Sequence, residues 1–240
     1  MKKNILSGIF LFLFIACVQK LQAGDFFTEF YSEAVKANLT GLSTSAKLKI
    51  GIKEQKVDYY LYLFYEWADT TGTDLPFEYR YQGLTAGVEI RYWLIERSLA
   101  AILGYGFGLT DNVDGKNNFQ YGLIGYHAFE KEKLFRDLYG ELLWIGRADD
   151  VFMTLRYRHG KTLYKTPDTR LWAYGVIFLN GSGKGKNGTE NRIEAGPGIG
   201  YIFLNGKASA NLELKYGHSY RGNIVRENYF NPFFVISVGF

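Results

Sequence analysis

Apolar and polar side chains alternate with a period of two over many short segments, and this pattern restricts the fold more than any other feature. Between residues 208 and 216, Ala, Ala, Leu, Leu and Tyr interleave with Ser, Asn, Glu and Lys. The same alternation occurs in 46–53, 86–92 and 151–158. Successive side chains of a strand point to opposite faces, so each segment predicts a strand with one apolar and one polar face. None of these four apolar rows contains a charged residue.

Short connections alternate with longer or more polar ones between the predicted strands. This is typical of an outer-membrane barrel, which has short periplasmic turns, longer extracellular loops and an even strand number. We therefore predict an all-β fold, a transmembrane antiparallel up-and-down β-barrel of about 12 strands, with about 10 as the alternative. The first segment also suits a short helix, but eleven strands would break the parity rule. The predicted strands are 26–38, 45–53, 57–67, 83–93, 98–109, 118–129, 136–146, 151–163, 170–180, 190–203, 207–218 and 232–240.

The composition fits a sheet with two different faces. The 240 residues include 19 Tyr, 19 Phe and 28 Gly, and 47% are hydrophobic, which excludes a disordered chain. A single Cys excludes a disulfide framework and a Cys-rich zinc site. The net charge of +4 gives no electrostatic footprint for nucleic acid. The alternative to a membrane barrel is a soluble periplasmic β-sandwich or ligand-binding barrel, which would have to bury both aromatic rows.

The N-terminal segment predicts export. Lys2 and Lys3 precede an apolar run from 5 to 16, and a short polar region ends at Ala23. This is the pattern of a signal peptide, so we predict a signal segment at 1–23 and an outer-membrane barrel at 24–240. The alternative is a lipoprotein box in which Cys17 is acylated. Cleavage after Ala23 would remove Cys17 and three lysines, leaving 25 basic and 24 acidic groups.

The C-terminus repeats the alternation up to its last residue. Phe234, Ile236, Val238 and Phe240 form a row that ends on an aromatic carboxylate. The row resembles the signal by which outer-membrane barrels are passed to their assembly machinery. The resemblance implies that machinery as a partner through the strand ending at Phe240. Membrane lipid and lipopolysaccharide are the other expected partners, and the expected location is integral to the bacterial outer membrane.

The polar rows predict the residues that line the lumen. A charge on the lipid face costs roughly 2–4 kcal/mol at the midplane for Lys or Arg, so charged residues of the strands belong inside. These inward charges have two interpretations. They form either a paired network that fills a narrow barrel or the wall of a polar conduit of mixed charge, and we slightly favour the filled barrel. The predicted inward residues are Lys47, Lys49, Lys53, Glu89, Arg91, Glu141, Arg156, Arg158, Arg192, Glu194, Glu213 and Lys215.

Two inward rows consist of glycines, at 104, 106 and 108 and at 196, 198 and 200. Glycine inside a strand often marks a bend or the close approach of another group. We favour curvature over room for a chain-like solute. Pro197 lacks an N–H, which predicts a bulge there. The glycine-rich loop 181–188 lacks the spacing and the strand-to-helix context of a phosphate-binding loop, so we interpret it as a mobile surface loop.

Catalysis is not predicted. His218 and Ser219 lie near the extracellular end of a strand, the right height for a barrel hydrolase that acts on lipid. Adjacent side chains point to opposite faces, so only a bulge would bring the two together. His127 and His159 have no Ser or acid two residues on. The sequence therefore predicts no catalytic residues, no metal site and no cofactor.

Several short motifs resemble the C-terminal barrel of NfrA-type bacteriophage adsorption proteins. They are Tyr139-Gly140-Glu141, residues 147–152, residues 155–158, Glu194 to Tyr201, Leu212 to Tyr216 and Gly87 to Tyr92, within roughly 83–222. In that family the barrel follows a long helical-repeat part and is linked to exopolysaccharide export. This chain has no room for such repeats between Ala23 and the first strands, so the resemblance implies only polysaccharide passage.

Three functions are thus in competition. The first is a transport or export conduit for a polysaccharide or another small polar solute. The second is a structural or adhesive surface barrel with a filled lumen, whose loops at 68–82, 181–189 and 219–231 contact partners or phage. The third is a lipid-modifying hydrolase that uses His218 and Ser219.

Overall fold

The computed structural model describes residues 25–37, 41–68, 82–109, 117–146, 149–183, 191–221 and 228–239. In these ranges the chain forms twelve strands and no helix. The predicted signal segment, Cys17, Phe240 and most of the longer loops lie outside them. The strands are β1 (Asp25–Ala37), β2 (Gly41–Lys53), β3 (Val57–Ala68), β4 (Gln82–Ile95), β5 (Leu99–Gly108), β6 (Asn117–Lys131), β7 (Leu134–Ile145), β8 (Asp150–Lys165), β9 (Arg170–Ser182), β10 (Asn191–Phe203), β11 (Ala208–Arg221) and β12 (Asn228–Gly239).

The twelve strands close into one antiparallel barrel. Each strand pairs with its neighbours in sequence, and β1 closes the ring by pairing with β12 from Glu29 opposite Gly239 to Val35 opposite Phe233. The prediction of an even-numbered up-and-down barrel is confirmed, and so is the strand interpretation of the first segment. Within the described ranges no helix is long and apolar enough to cross a membrane.

Tight turns join the strands at the end of the barrel where β1 begins and β12 ends. Arg97, Glu132, Leu204 and Asn205 have positive φ angles in these turns, and Gly206 has a φ of 84°. By the general architecture of outer-membrane barrels, this end faces the periplasm and the other faces the cell exterior.

The predicted bulge at Pro197 is wrong. Pro197 keeps its place opposite Gly175 of β9. On the other side, the register from Ala195 opposite Tyr216 to Gly198 opposite Glu213 is unshifted. The missing N–H therefore costs one ladder bond without displacing the strand. In the described strands, register shifts lie instead at Trp93/Ile95, Thr162/Tyr164 and Asn191/Arg192.

The outer wall is apolar and the inner wall is polar. Large apolar side chains point outward and remain exposed around the ring, for example Leu63 (41%), Leu123 (41%) and Leu212 (43%). Aromatic rings stack outside near both ends, Tyr121 on Trp144 at 5.1 Å and Tyr201 on Phe203 at 5.8 Å. An apolar belt flanked by aromatic girdles is the surface that a bilayer covers.

The two glycine rows make room for side chains of neighbouring strands. A Cβ added at Gly198 would lie 2.5 Å from the Tyr174 ring, and one at Gly200 would collide with Trp172. On the other row, the side chain of Tyr62 on β3, two strands away, occupies the space above Gly106. At Gly196 an added Cβ would meet the backbone carbonyl of Leu214, as expected for sharp local coiling. Curvature thus explains Gly196, whereas Gly106, Gly198 and Gly200 accommodate aromatic rings instead of a solute.

Candidate functional site in the barrel lumen

The predicted lumen residues share the inward face of their strands. Cross-strand register places Lys49 opposite Tyr62, Glu89 opposite Gly104, Arg156 opposite Phe178 and Glu213 opposite Gly198. Directly opposed residues point to the same side of a sheet, and contacts between non-adjacent strands identify that side as the interior. The inward set is Lys47, Lys49, Lys53, Glu89, Arg91, Glu141, Arg156, Arg158, Arg192, Glu194, Glu213 and Lys215. Their part in solute passage stays a prediction.

A ladder of alternating charges begins at the periplasmic mouth on β1 and β2. The Glu29 carboxylate lies 3.7 Å from the ammonium groups of both Lys49 and Lys53. Lys53 also lies 4.4 Å above the Phe27 ring, and Lys49 lies 4.9 Å above the Tyr60 ring. These cations keep water contact in the lumen, since the Lys53 side chain is 52% exposed and that of Lys49 is 17% exposed.

The same wall continues through β3 and β4 toward the middle of the barrel. Arg91 donates to the Tyr60 hydroxyl at 3.0 Å and lies 3.8 Å from Glu89. Glu89 is buried and also faces Lys47 at 3.6 Å. Gln120 donates to Oε2 of Glu89, the oxygen that also faces Lys47, at 3.0 Å, and this bond ties β6 to β4 across the glycine row of β5. The wall is therefore polar, paired and only partly open to water.

A second network covers the opposite wall and begins with a buried ion pair on β7 and β8. The Arg158 guanidinium binds Asp137 through two nitrogens, at 2.6 and 3.0 Å. Its other terminal nitrogen donates to Asn211 of β11 at 3.4 Å, spanning two intervening strands. Tyr174 packs 5.2 Å under the guanidinium and donates to Glu213 at 3.1 Å. These contacts need the space that Gly198 and Gly200 leave open.

Lys215 connects the carboxylates of this second network. Its ammonium lies 2.8 Å from Glu194 and 3.7 Å from Glu213. Asn231 donates to Glu194 at 2.8 Å, and all four residues are buried. The ammonium also lies between two aromatic rings, Phe178 at 4.6 Å and Phe233 at 4.3 Å. Buried charges are retained only where such partners replace water. Paired side chains and aromatic rings therefore fill this half of the lumen.

Between the two walls, the inward side chains of β6, β7 and β8 are less tightly paired. Glu141 accepts a hydrogen bond from Tyr139 at 2.7 Å. Arg156 lies 5.5 Å from the Tyr139 ring and has no carboxylate among its described ion-pair partners. Tyr126, on the same inward face, is 43% exposed. Water in the lumen therefore reaches this stretch, which makes it the best candidate for a passage.

The periplasmic end of this stretch is bounded by a small cluster. Glu130 binds Lys165 at 3.0 Å and Arg170 at 2.9 Å. Arg170 in turn lies over the rings of Phe135 and Trp172, at 5.3 and 5.6 Å. These ion pairs and cation–π contacts together hold the side chains that border the periplasmic opening of the lumen on this side.

The candidate catalytic residues lie next to each other on β11. His218 pairs with Ile193 and Ser219 pairs with Arg192, so the two occupy successive ladder positions, and the register shift at Asn191/Arg192 follows directly after them. His218 points outward, is exposed and lies 3.1 Å from the Asn228 side-chain oxygen. Within the described residues, no group of three or more His, Cys, Asp or Glu side chains is placed to hold a metal ion.

We expect His218→Ala to leave the lipid composition of the outer membrane unchanged. His218 and Ser219 are adjacent on one strand, and adjacent side chains point to opposite faces, so we do not expect the imidazole to take the hydroxyl proton of Ser219. Mass spectrometry of lipid A and phospholipids from cells expressing wild-type protein or the variant measures this. A lipid species that depends on the wild-type histidine would contradict the assignment.

Several residues of the site were not predicted from the sequence. Asp137, Tyr174, Asn211 and Asn231 hold the charged residues of the second network in place. Asp137 stands two positions before Tyr139 and four before Glu141, so the inward period contains it. Asn211 likewise stands two positions before Glu213 in the polar row of β11. No comparable signal marks Tyr174 and Asn231, whose partners Glu213 and Glu194 lie two strands away in the ring.

Comparisons with known proteins agree with the barrel. No family model and no curated protein matches the chain. Among solved structures, LpxR from Salmonella typhimurium matches with a TM-score of 0.52 and 8% identity, covering 88% of this chain and 99% of that one. The β domain of the Bordetella autotransporter BrkA matches with a TM-score of 0.50 and 16% identity, covering 90% of this chain and 99% of that one. The KdgM porin in complex with disordered oligogalacturonate matches with a TM-score of 0.46, 12% identity and coverage of 89% and 98%.

A closed ring of twelve strands, an apolar exterior with aromatic girdles and a charged interior together define an integral β-barrel protein. The chain is a barrel of the bacterial outer membrane. Nothing in the comparisons singles out the NfrA-type barrel, so that finer resemblance stays a prediction.

Proposed function

We propose that the barrel is a narrow passive conduit for small polar solutes. The observation that carries the proposal is the water-exposed, mixed-charge stretch between the two paired networks. Tyr126 is exposed there, and on the two paired walls beside it Lys47 and Arg192 keep 25% of their side-chain surface accessible. Such a stretch gives a polar solute hydrogen-bonding partners along its path without a large desolvation cost.

The charge of the wall favours small solutes of either sign. Each acidic group on the two walls has a basic group nearby, as in the Glu29, Glu89 and Glu194 clusters. A balanced wall does not concentrate ions of one sign. The rings above the glycine rows narrow the lumen, which makes a polysaccharide chain a less suitable cargo than a small solute.

Single-channel recording in planar bilayers tests the proposal. We expect small, discrete conductance steps from the wild-type protein. Arg156→Ala removes a cation that has no carboxylate partner in the described lumen, so conductance and the cation-to-anion permeability ratio should each rise by about twofold. Lys56→Ala is the matched control, because it removes one positive charge from an exposed periplasmic turn outside the lumen.

Two outcomes would overturn the conduit. The first is a silent bilayer across a wide voltage range with protein that is folded by heat-modifiability on gels. That result would favour the filled, adhesive barrel, for which the buried Lys215 network is the supporting observation. The second is an equal response of Arg156→Ala and Lys56→Ala, which would place the current path outside the central stretch.

A further inference from the structure

In the periplasmic half of the described strands, the charged residues on the outer wall are confined to one place. They are Lys131, Arg136 and Lys161, on the adjacent strands β6, β7 and β8. All three are basic and exposed. At the same height, the outward positions of the other described strands carry uncharged side chains, such as Tyr59 and Tyr201.

Register brings the basic groups side by side. Arg136 lies directly opposite His159, and Leu134 lies opposite both Lys131 and Lys161. Arg136 and Lys161 are therefore diagonal neighbours on the outward face, about 7–8 Å apart, which is close enough for one anion to contact both. No ion pair among the described residues involves Arg136 or Lys161. The nearby carboxylates of Asp137 and Glu130 face inward and bind Arg158, Lys165 and Arg170.

We propose that Arg136, His159 and Lys161 bind the phosphate of an anionic phospholipid in the periplasmic leaflet. The residues lie within a few positions of the turn at 132–133, which is the level of lipid headgroups. A guanidinium binds phosphate oxygens through two parallel hydrogen bonds, and an ammonium adds a point charge. One phosphate between Arg136 and Lys161 places a negative charge between two neighbouring cations.

The surroundings favour a lipid over free phosphate as the occupant. Leu134 is 50% exposed and Leu138 is 44% exposed on the same outward rows, just below and above the basic group. Phe129 lies opposite Arg136 and is also exposed. A headgroup on the cations would thus leave its acyl chains along an apolar strip that continues toward the bilayer centre.

Native mass spectrometry of the full chain tests the site. Protein released from mixed phosphatidylglycerol and phosphatidylcholine micelles should retain phosphatidylglycerol preferentially. In the double variant Arg136→Gln, Lys161→Gln we expect that preference to fall about tenfold. The double variant Lys56→Gln, Arg97→Gln removes the same charge from other periplasmic turns and should keep it. Arg136→Lys with Lys161→Arg conserves the charge and should largely keep it as well.

Three results would overturn the lipid site. One is wild-type preference in the Arg136→Gln, Lys161→Gln variant. Another is an equal loss of the phosphatidylglycerol preference in the Lys56→Gln, Arg97→Gln control, which would show that the preference depends only on net charge. The third is full displacement of phosphatidylglycerol by excess inorganic phosphate, which would show that only the phosphate is recognised. Heat-modifiability on gels confirms that each variant is folded before it is scored.

Discussion

Replacement of Lys215 by methionine is expected to lower the free energy of unfolding by about 3–5 kcal/mol. The ammonium is 3% exposed and is the cation between the buried carboxylates of Glu194 and Glu213. Its loss removes the cation 3.7 Å from Glu213, while Glu194 keeps Arg192 at 3.4 Å. Methionine retains much of the apolar stem between Phe178 and Phe233, so the change reports mainly on the charge. Urea titration of protein refolded into vesicles, followed by tryptophan fluorescence, measures it.

Lys49→Met is the matched control for Lys215. Its partner Glu29 is 41% exposed and lies 3.7 Å away, so water screens the pair and the expected loss is below about 1 kcal/mol. Adding Glu213→Gln to Lys215→Met should restore part of the stability, because one uncompensated charge is then removed. Equal losses in Lys215→Met and Lys49→Met would contradict the buried network.

Gly196→Ala is expected to destabilise the barrel by about 3 kcal/mol or to prevent its assembly. The added Cβ meets the Leu214 carbonyl on the neighbouring strand, and backbone cannot move aside as a flexible side chain can. Gly175 is the matched control on β9, since a Cβ there meets nothing within 4 Å. Gly175→Ala should be neutral or stabilise by about 0.5 kcal/mol through a less flexible unfolded chain.

The yield of heat-modifiable protein after refolding compares the two glycine variants directly. The expected result is a normal yield for Gly175→Ala and a strongly reduced yield for Gly196→Ala. If both variants fold equally well, then β10 can relax away from β11, and the close approach that explains Gly196 is not required by the fold.

The strands were predictable because a membrane barrel imposes the same two-residue period on every strand. Even β1, where a helix was an alternative, followed from the parity of the strand count and is confirmed by its pairing with β12. The boundaries were less accurate, as β2 begins at Gly41 and not at 45. The two-residue alternation predicts which face of the sheet a residue lies on, but it does not locate the residue at which a strand begins or ends.

The contacts inside the lumen were not predictable in the same way. The period placed Arg158 inside, but its partners Asp137 and Asn211 lie on β7 and β11, and only the closed ring brings those strands together. The role of Gly198 likewise depends on the Tyr174 ring of the next strand. At Pro197 the expected bulge is absent because continuous pairing with β9 holds the register.

The outward basic residues show a further limit of the pattern. Charge on the lipid face is expensive at the midplane, but the cost falls to about 0–1 kcal/mol near the interface. Arg136 and Lys161 are therefore compatible with the outer wall because they stand near the periplasmic turns. Alternation gives the face of a residue, and the position along the strand decides which charges that face accepts.

Thiol labelling of two adjacent residues tests the central claim most directly. In a Cys17→Ser background, Lys49→Cys and Leu48→Cys place one thiol on the inward face of β2 and the other on the outward face. We predict that a small, charged, membrane-impermeant reagent labels position 49 quickly and position 48 very slowly in outer-membrane vesicles. A lipid-soluble maleimide should label position 48. Resistance of position 49 to the charged reagent, or equal labelling of both positions, would contradict a barrel with a water-accessible polar lumen.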